Sequence, residues 1–309
     1  MKVAILGAGG ALGARIVESF QLGEGPSLTA IAREAPHLAA AARFPIDLRV
    51  ADEFDVSALA RSFAGSSAAV HALDIPAPDR KRSVGIFCRA GAEAGLRRLV
   101  YVSTTDVYGL DPQPGTDEKT PLHTRHASDE INHLVAADRH FSAECRELGL
   151  AGTVLRPGAI YGPRSPWFAR VAAGLEADRV WLARHGDGIC NCVYLDHVVS
   201  AIRLVLKPKI AVGTAFILVD DETVTWRGFY EAVARELELP AQLHDFGQEE
   251  AGGDGEPPAA DTVGRHGSRW KFSARLAAQT LNLKAEVPFA EGIRRSVAWW
   301  RFAHGHAAP

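Results

Sequence analysis

Gly7, Gly10 and Gly13 stand at three-residue intervals between a short apolar run, Val3–Leu6, and a helically spaced segment, Ala11–Phe20. These residue types in this order suit the binding of a pyrophosphate. Gly7 permits a tight turn, Gly10 lets the backbone approach a ligand with no Cβ in the way, and Gly13 lets the helix pack closely. The anion then rests on free N–H groups at the positive end of the helix. The same glycines can form a turn that binds nothing, but their place between strand and helix favours a dinucleotide.

The end of the next predicted strand, Ser27–Ala32, chooses between cofactors. A carboxylate there would bind the adenosine ribose 2′-hydroxyl of NAD. This strand instead runs into Arg33, with no carboxylate before Glu34. A guanidinium fork suits a 2′-phosphate, so NADP is favoured and NAD is the alternative. The competing role for Arg33 is a solvated side chain over the adenine. Asp52 can accept from the adenine amino group or serve as a helix N-terminal aspartate.

Other reactive side chains carry weaker signals. His185, Cys190, Cys192 and His197 do not have the spacing of a zinc knuckle, so no metal is expected and the cysteines read as buried strand residues. Arg164 and Arg170 can bind a substrate phosphate or carboxylate, or lie solvated on the surface. Trp299 and Trp300 suit packing or an interface better than a substrate platform.

The elements that must position these residues alternate. Strands are expected at Val3–Leu6, Ser27–Ala32, Ile46–Val50, Ala68–Leu73, Leu99–Ser103 and Thr153–Arg156. Helices are expected at Ala11–Phe20, Val56–Phe63, Ser83–Ala94 and Ile131–Leu148. Such alternation implies an α/β fold, a Rossmann-type doubly wound parallel sheet. Residues 1–156 form the dinucleotide-binding domain, joined by parts of 190–220. Residues 157–309 are mainly a smaller, interleaved C-terminal substrate lobe. There Val198–Leu206, Trp226–Leu237 and Ile293–Phe302 read as helices and Ala215–Val219 as a strand. Residues 247–260 hold too little apolar surface to order themselves and read as a mobile loop.

The chain has 309 residues, 47% hydrophobic and 23% charged, with a formal net charge of -3. That balance attracts neither nucleic acid nor an anionic membrane. The N-terminal apolar run is too short for a signal peptide and no stretch reaches the length of a membrane span, so a cytoplasmic location is expected.

Several segments in order resemble the extended short-chain dehydrogenase/reductase family, in its NAD-dependent epimerase/dehydratase branch. They are the turn Gly7–Gly13, the stretch from Asp52 to Leu59, and Ala69-Val70-His71-Ala72-Leu73. Further on come Ser103-Thr104-Thr105-Asp106-Val107-Tyr108-Gly109, Leu155-Arg156-Pro157-Gly158, and Val193-Tyr194-Leu195-Asp196-His197-Val198. The resemblance implies cofactor contacts from Ala11, Leu12, Leu73, Ser103, Arg156 and Pro157. It places Thr104 at the family's catalytic Ser/Thr position. It implies a small carbonyl, alcohol or nucleotide-sugar substrate, and a homodimer built through helices.

One departure is decisive. The family's acid/base is a tyrosine followed four residues later by a lysine, and none of the five tyrosines here has that lysine. Counted forward from Tyr108 the family's spacing lands near Asp129 and His133, which share a helical face and can act as a proton shuttle or as an exposed local ion pair; counted back from Arg156 it lands near Ile131 and Val135. His123 and His126, just before that helix, are further candidates. The expected function is therefore an NAD(P)-dependent oxidoreductase or epimerase-like enzyme with a non-standard acid/base. The alternative is a catalytically inactive NADP(H)-binding sensor.

Overall fold

The computed structural model describes residues 1–207, 213–246 and 260–305. The expected loop at 247–260 lies outside them apart from Ala260. In chain order the elements of the first half are β1 (Lys2–Leu6), α1 (Ala11–Leu22), β2 (Ser27–Ala32), β3 (Asp47–Val50), α2 (Val56–Phe63), β4 (Ala68–His71), α3 (Ala77–Glu93), β5 (Arg98–Val102), α4 (Asp129–Glu147) and β6 (Ala151–Pro157). The second half adds β7 (Ala159–Tyr161), α5 (Pro166–Glu176), β8 (Trp181–Ala183), β9 (Cys192–Tyr194), α6 (Leu195–Val205), β10 (Ala215–Leu218), α7 (Trp226–Glu236), β11 (His244–Phe246), α8 (Ala260–His266), α9 (Arg275–Leu281) and α10 (Phe289–Ala303).

Seven strands form one parallel sheet in the order β10-β6-β5-β4-β1-β2-β3. This is the Rossmann-like α/β architecture expected from the alternation. All but the exposed edge strand β3 are buried on both faces, which is why they read as continuous apolar runs. On one face Ile16, Val17 and Phe20 of α1 meet Val198 and Ile202 of α6 in a core that also holds Leu281 of α9. On the other, Leu59, Phe63, Val84, Phe87 and Phe141 anchor α2, α3 and α4. The order of strands reverses between β1 and β4, and ligands of such sheets bind at the carboxyl ends beside that reversal.

A separate core lies outside the sheet. Tyr161, Phe168, Phe229, Ile293 and Trp300 join α5, α7 and α10 to two small two-stranded sheets, β7–β9 and β8–β11. Their four strands have three residues each, too short to show a period in sequence. Most boundaries differ from expectation by a few residues, and two of the shifts bear on the site. β4 stops at His71, leaving Leu73 in the following loop, and α3 begins at Ala77 rather than Ser83. Pro78 sits in the first turn of α3, where its missing N–H has no partner to lose.

Candidate active site

The glycine turn is built on steric grounds. Gly7 has φ +91°, and a Cβ there would lie 2.7 Å from the Ala72 carbonyl oxygen, so the turn is pressed against the β4 loop. A Cβ on Gly13 would lie 2.1 Å from the Gly7 oxygen: this glycine lets α1 close on the turn itself rather than on the sheet. Gly9, which the spacing argument passed over, admits the His37 backbone, 2.6 Å from where its Cβ would be. Gly10 differs, since its missing Cβ meets nothing closer than 3.5 Å and faces open space. Gly10 is also the N-cap of α1, with no side-chain cap and no acidic residue in the first turn. By contrast, α2 is capped by Asp55, α5 by Ser165 and α7 by Thr225. The start of α1 therefore presents uncompensated N–H groups to a crevice of about 410 Å³.

Gly10, Ala11, Leu12, Leu73 and Ser103 all line that crevice. Asp74, Arg80, Ile160, Trp167, Arg170 and Leu195 are also on its wall. Of these, Trp167 and Arg170 had a sequence signal in their i,i+3 spacing on a helix. Arg80 had none; its Nε is buried without a hydrogen-bond partner and its Nη2 lies 3.5 Å from Asp74.

Four of the expected cofactor residues stand elsewhere. Arg33 is held by Glu53, its Nε donating at 3.0 Å and its Nη2 also bonded, and Glu53 is only 3% exposed. Asp52 turns back on its own backbone and accepts the Phe54 N–H at 2.9 Å. Pro157 is buried at the end of β6 and off the crevice wall. Arg156 is buried in a fork with Asp138 of α4, with Nε at 3.0 Å and Nη2 at 2.6 Å, and its Nη1 donates to the Tyr108 hydroxyl. The Ser103 hydroxyl donates to the same Asp138 at 2.8 Å. Arg156 thus fixes the strand ends from behind the crevice. A buried cation needs a paired carboxylate, and α4 supplies it.

The expected catalytic positions are not gathered at the crevice. Thr104 is half-buried and spends its oxygen on the Asp106 N–H at 3.2 Å, while its neighbour Ser103 occupies the wall. Asp129 and His133 are exposed. The helical period explains this: Ile131, Leu134, Val135, Asp138, Phe141 and Cys145 form the buried stripe, and positions 129 and 133 fall on the opposite side. His126 lies over Gly109 and its backbone is tied to Asn132, and neither it nor His123 is on a cavity wall among the described residues.

None of the five tyrosines has a lowered pKa. Burial raises the pKa of all five: Tyr108 and Tyr230 to about 12, and Tyr101, Tyr161 and Tyr194 also upwards. At Tyr108 burial outweighs the Arg156 guanidinium. His197 is structural as well. Its ring is 2.6 Å from Asp220 and accepts the Val287 N–H, while Asp220 also accepts the Tyr161 hydroxyl and the Tyr194 N–H. The four cysteines are free and buried.

A second cavity of about 600 Å³ shares Trp167 and Arg170 with the crevice. One stripe of α5, residues 167, 170, 171 and 174, forms one side. Trp226 and Tyr230 of α7, one turn apart, form another. Asp106 reaches it from the nucleotide half, bound at both oxygens by Arg265 at 2.7 Å.

Sheet order, glycine turn and open helix end define a Rossmann-type dinucleotide-binding protein. Comparison with known proteins narrows the class: residues 7–174 match the family model described as NAD(P)H-binding, and the chain belongs to that family. A curated relative from Streptomyces sp., a 3-diazoavenalumate denitrifying reductase, is 28% identical over 268 residues, covering 78% of this chain and 83% of the relative. The fold is shared with UDP-glucose 4-epimerase of Thermotoga maritima (TM-score 0.80, 18% identity, 98% of this chain and 100% of that one). It is also shared with UDP-glucuronic acid 4-epimerase of Bacillus cereus (0.81, 13%, 98% and 99%). A third is the dTDP-glucose 4,6-dehydratase DesIV of Streptomyces venezuelae (0.80, 20%, 99% and 98%). The resemblance to the epimerase/dehydratase branch therefore holds for the fold. Among the described residues no helix is long and apolar enough to cross a membrane.

Proposed function

We propose that the protein is an NAD(P)H-dependent reductase of a small molecule whose reduction draws no proton from the helix after β5. The carrying observation is the pairing of an open α1 terminus at the crevice with an α4 whose buried stripe is apolar except for the locked Asp138 and which puts no side chain on the crevice wall. The bound dinucleotide would supply the hydride. Gly10, Ala11 and Leu12 would hold its pyrophosphate, and Leu73 and Ser103 would flank the crevice beyond it. Trp167 and Arg170 stand between crevice and second cavity, where a substrate would meet the cofactor.

The relative named as a denitrifying reductase supports reduction over epimerisation. An aryl diazonium group accepts hydride at its terminal nitrogen to give an aryl diazene, whose N–H hydrogen passes to the ring carbon as N2 leaves, so no protein acid is needed and the absent tyrosine–lysine pair is accommodated. A second cavity beside the crevice favours an enzyme over a sensor. NADP is the preferred coenzyme. Glu53 leaves the Nη1 edge of Arg33 unused, and Arg82 lies over the same Phe54 ring, the two guanidiniums 4.7 and 6.0 Å from its centre. Two guanidiniums facing one ring beyond the end of β2 suit a 2′-phosphate.

Calorimetry with NADPH and NADH, followed by assays of nicotinamide oxidation with aryl diazo and carbonyl acceptors, tests the proposal. NADPH should bind more tightly, Arg33→Ala should narrow that preference, and diazo acceptors should turn over. Tight NADPH binding with no turnover of either acceptor class would establish the sensor instead.

A further inference from the structure

The second cavity has a definite chemistry. Its charged side chains are Arg170, Arg179, Arg265 and Asp106. Asp106 is consumed by Arg265, which leaves the wall with an excess of positive charge. His266, also on the wall, adds none. Its Nδ1 accepts the Ala183 N–H at 3.2 Å, and burial lowers its pKa to about 4. The remaining surface is dominated by indole and phenol rings. Trp167 meets Trp226 edge-on with centroids 6.1 Å apart, and Trp226 lies 4.8 Å from the His266 ring. No Ser, Thr, Asn, Gln or Glu is on this wall among the described residues.

We propose that this cavity binds a planar aromatic carboxylate, its ring among Trp167, Trp226 and Tyr230 and its anionic group on Arg170 and Arg179. Rings supply edge-to-face contacts for a flat ligand. Guanidiniums pair with a carboxylate in a fork. A sugar nucleotide fits the charge but brings many hydroxyls, and among the described residues this wall offers them no Ser, Thr, Asn, Gln or Glu side chain. The proposal rests on the reductase reading, because it names the substrate of the same site.

Calorimetry of the whole protein with trans-cinnamate, its neutral amide and UDP-glucose tests it, with NADPH titrated separately. Cinnamate should bind at least about tenfold more tightly than the amide. Arg170→Gln and Arg179→Gln should each shrink that ratio, and unchanged melting temperatures would show that both variants remain folded. Equal affinity for cinnamate and amide, or tighter binding of UDP-glucose, overturns the proposal. Failure of NADPH to bind while cinnamate still does breaks the reductase reading and leaves the ligand class standing.

Discussion

In the nucleotide half one helix opens onto the crevice and another packs behind it, and they do opposite work. α1 functions through its backbone: its first turn is uncapped, uncharged and open, and three glycines bring it there. α4 functions through its side chains and contributes architecture. Its buried stripe carries aliphatic groups and one carboxylate, and that carboxylate clamps Arg156 and Ser103. In a binding turn the backbone sets the chemistry, so glycine positions cannot drift. In a helix that only packs, an acid or base is free to be replaced by a leucine or a structural aspartate.

The largest effect should come from breaking the clamp. Asp138→Ala leaves the Arg156 guanidinium buried and unpaired, and should lower unfolding free energy by about 3–5 kcal/mol in urea titrations. A further Arg156→Met change should recover much of that loss. If Asp138→Ala alone is tolerated, α4 is not the structural partner described.

Next comes the turn. Gly13→Ala sets a Cβ against the Gly7 oxygen, so turn and helix must separate. NADPH affinity should fall at least about tenfold, with a stability loss of about 1–3 kcal/mol. A variant that melts early but binds NADPH normally would detach Gly13 from binding.

A pH titration of stability separates the lobes. Burial lowers His71 of β4 to about 3 and His266 of α8 to about 4, from 6.5. Unfolding lets each take up a proton below pH 6.5, so stability should fall on acidification from 6.5, with a slope of at most about 1.4 kcal/mol per pH unit per histidine. The His266 contribution should level off near pH 4 and that of His71 near pH 3. His266→Phe should reduce the slope above pH 4. An unchanged profile would mean that His266 is not held neutral.

The smallest effect is the most diagnostic. Asp129→Asn with His133→Gln should change stability by less than about 0.5 kcal/mol and leave turnover unaltered, since both residues are exposed. A large loss of turnover would restore the acid/base role that the spacing suggested.

The family's spacing led to Asp129 and His133 because counting along a chain cannot tell which side of a helix faces a cleft. Arg33 was readable as a cation after β2, but its pairing with Glu53 depends on β2 and β3 lying side by side. The aromatic cavity was barely legible. Arg170 was noted in sequence, but Trp167, Trp226 and His266 come from three helices whose meeting is a long-range event.

The amino-acid order alone showed the strand–helix alternation that implies a parallel sheet, the glycine turn and the want of a tyrosine–lysine pair, because each is read from residues a few positions apart. The tertiary structure decided which side chains point inward, which charges neutralise one another, and what the second cavity is made of. Those outcomes follow from packing between distant segments, where burial and pairing energies, not local spacing, select the arrangement.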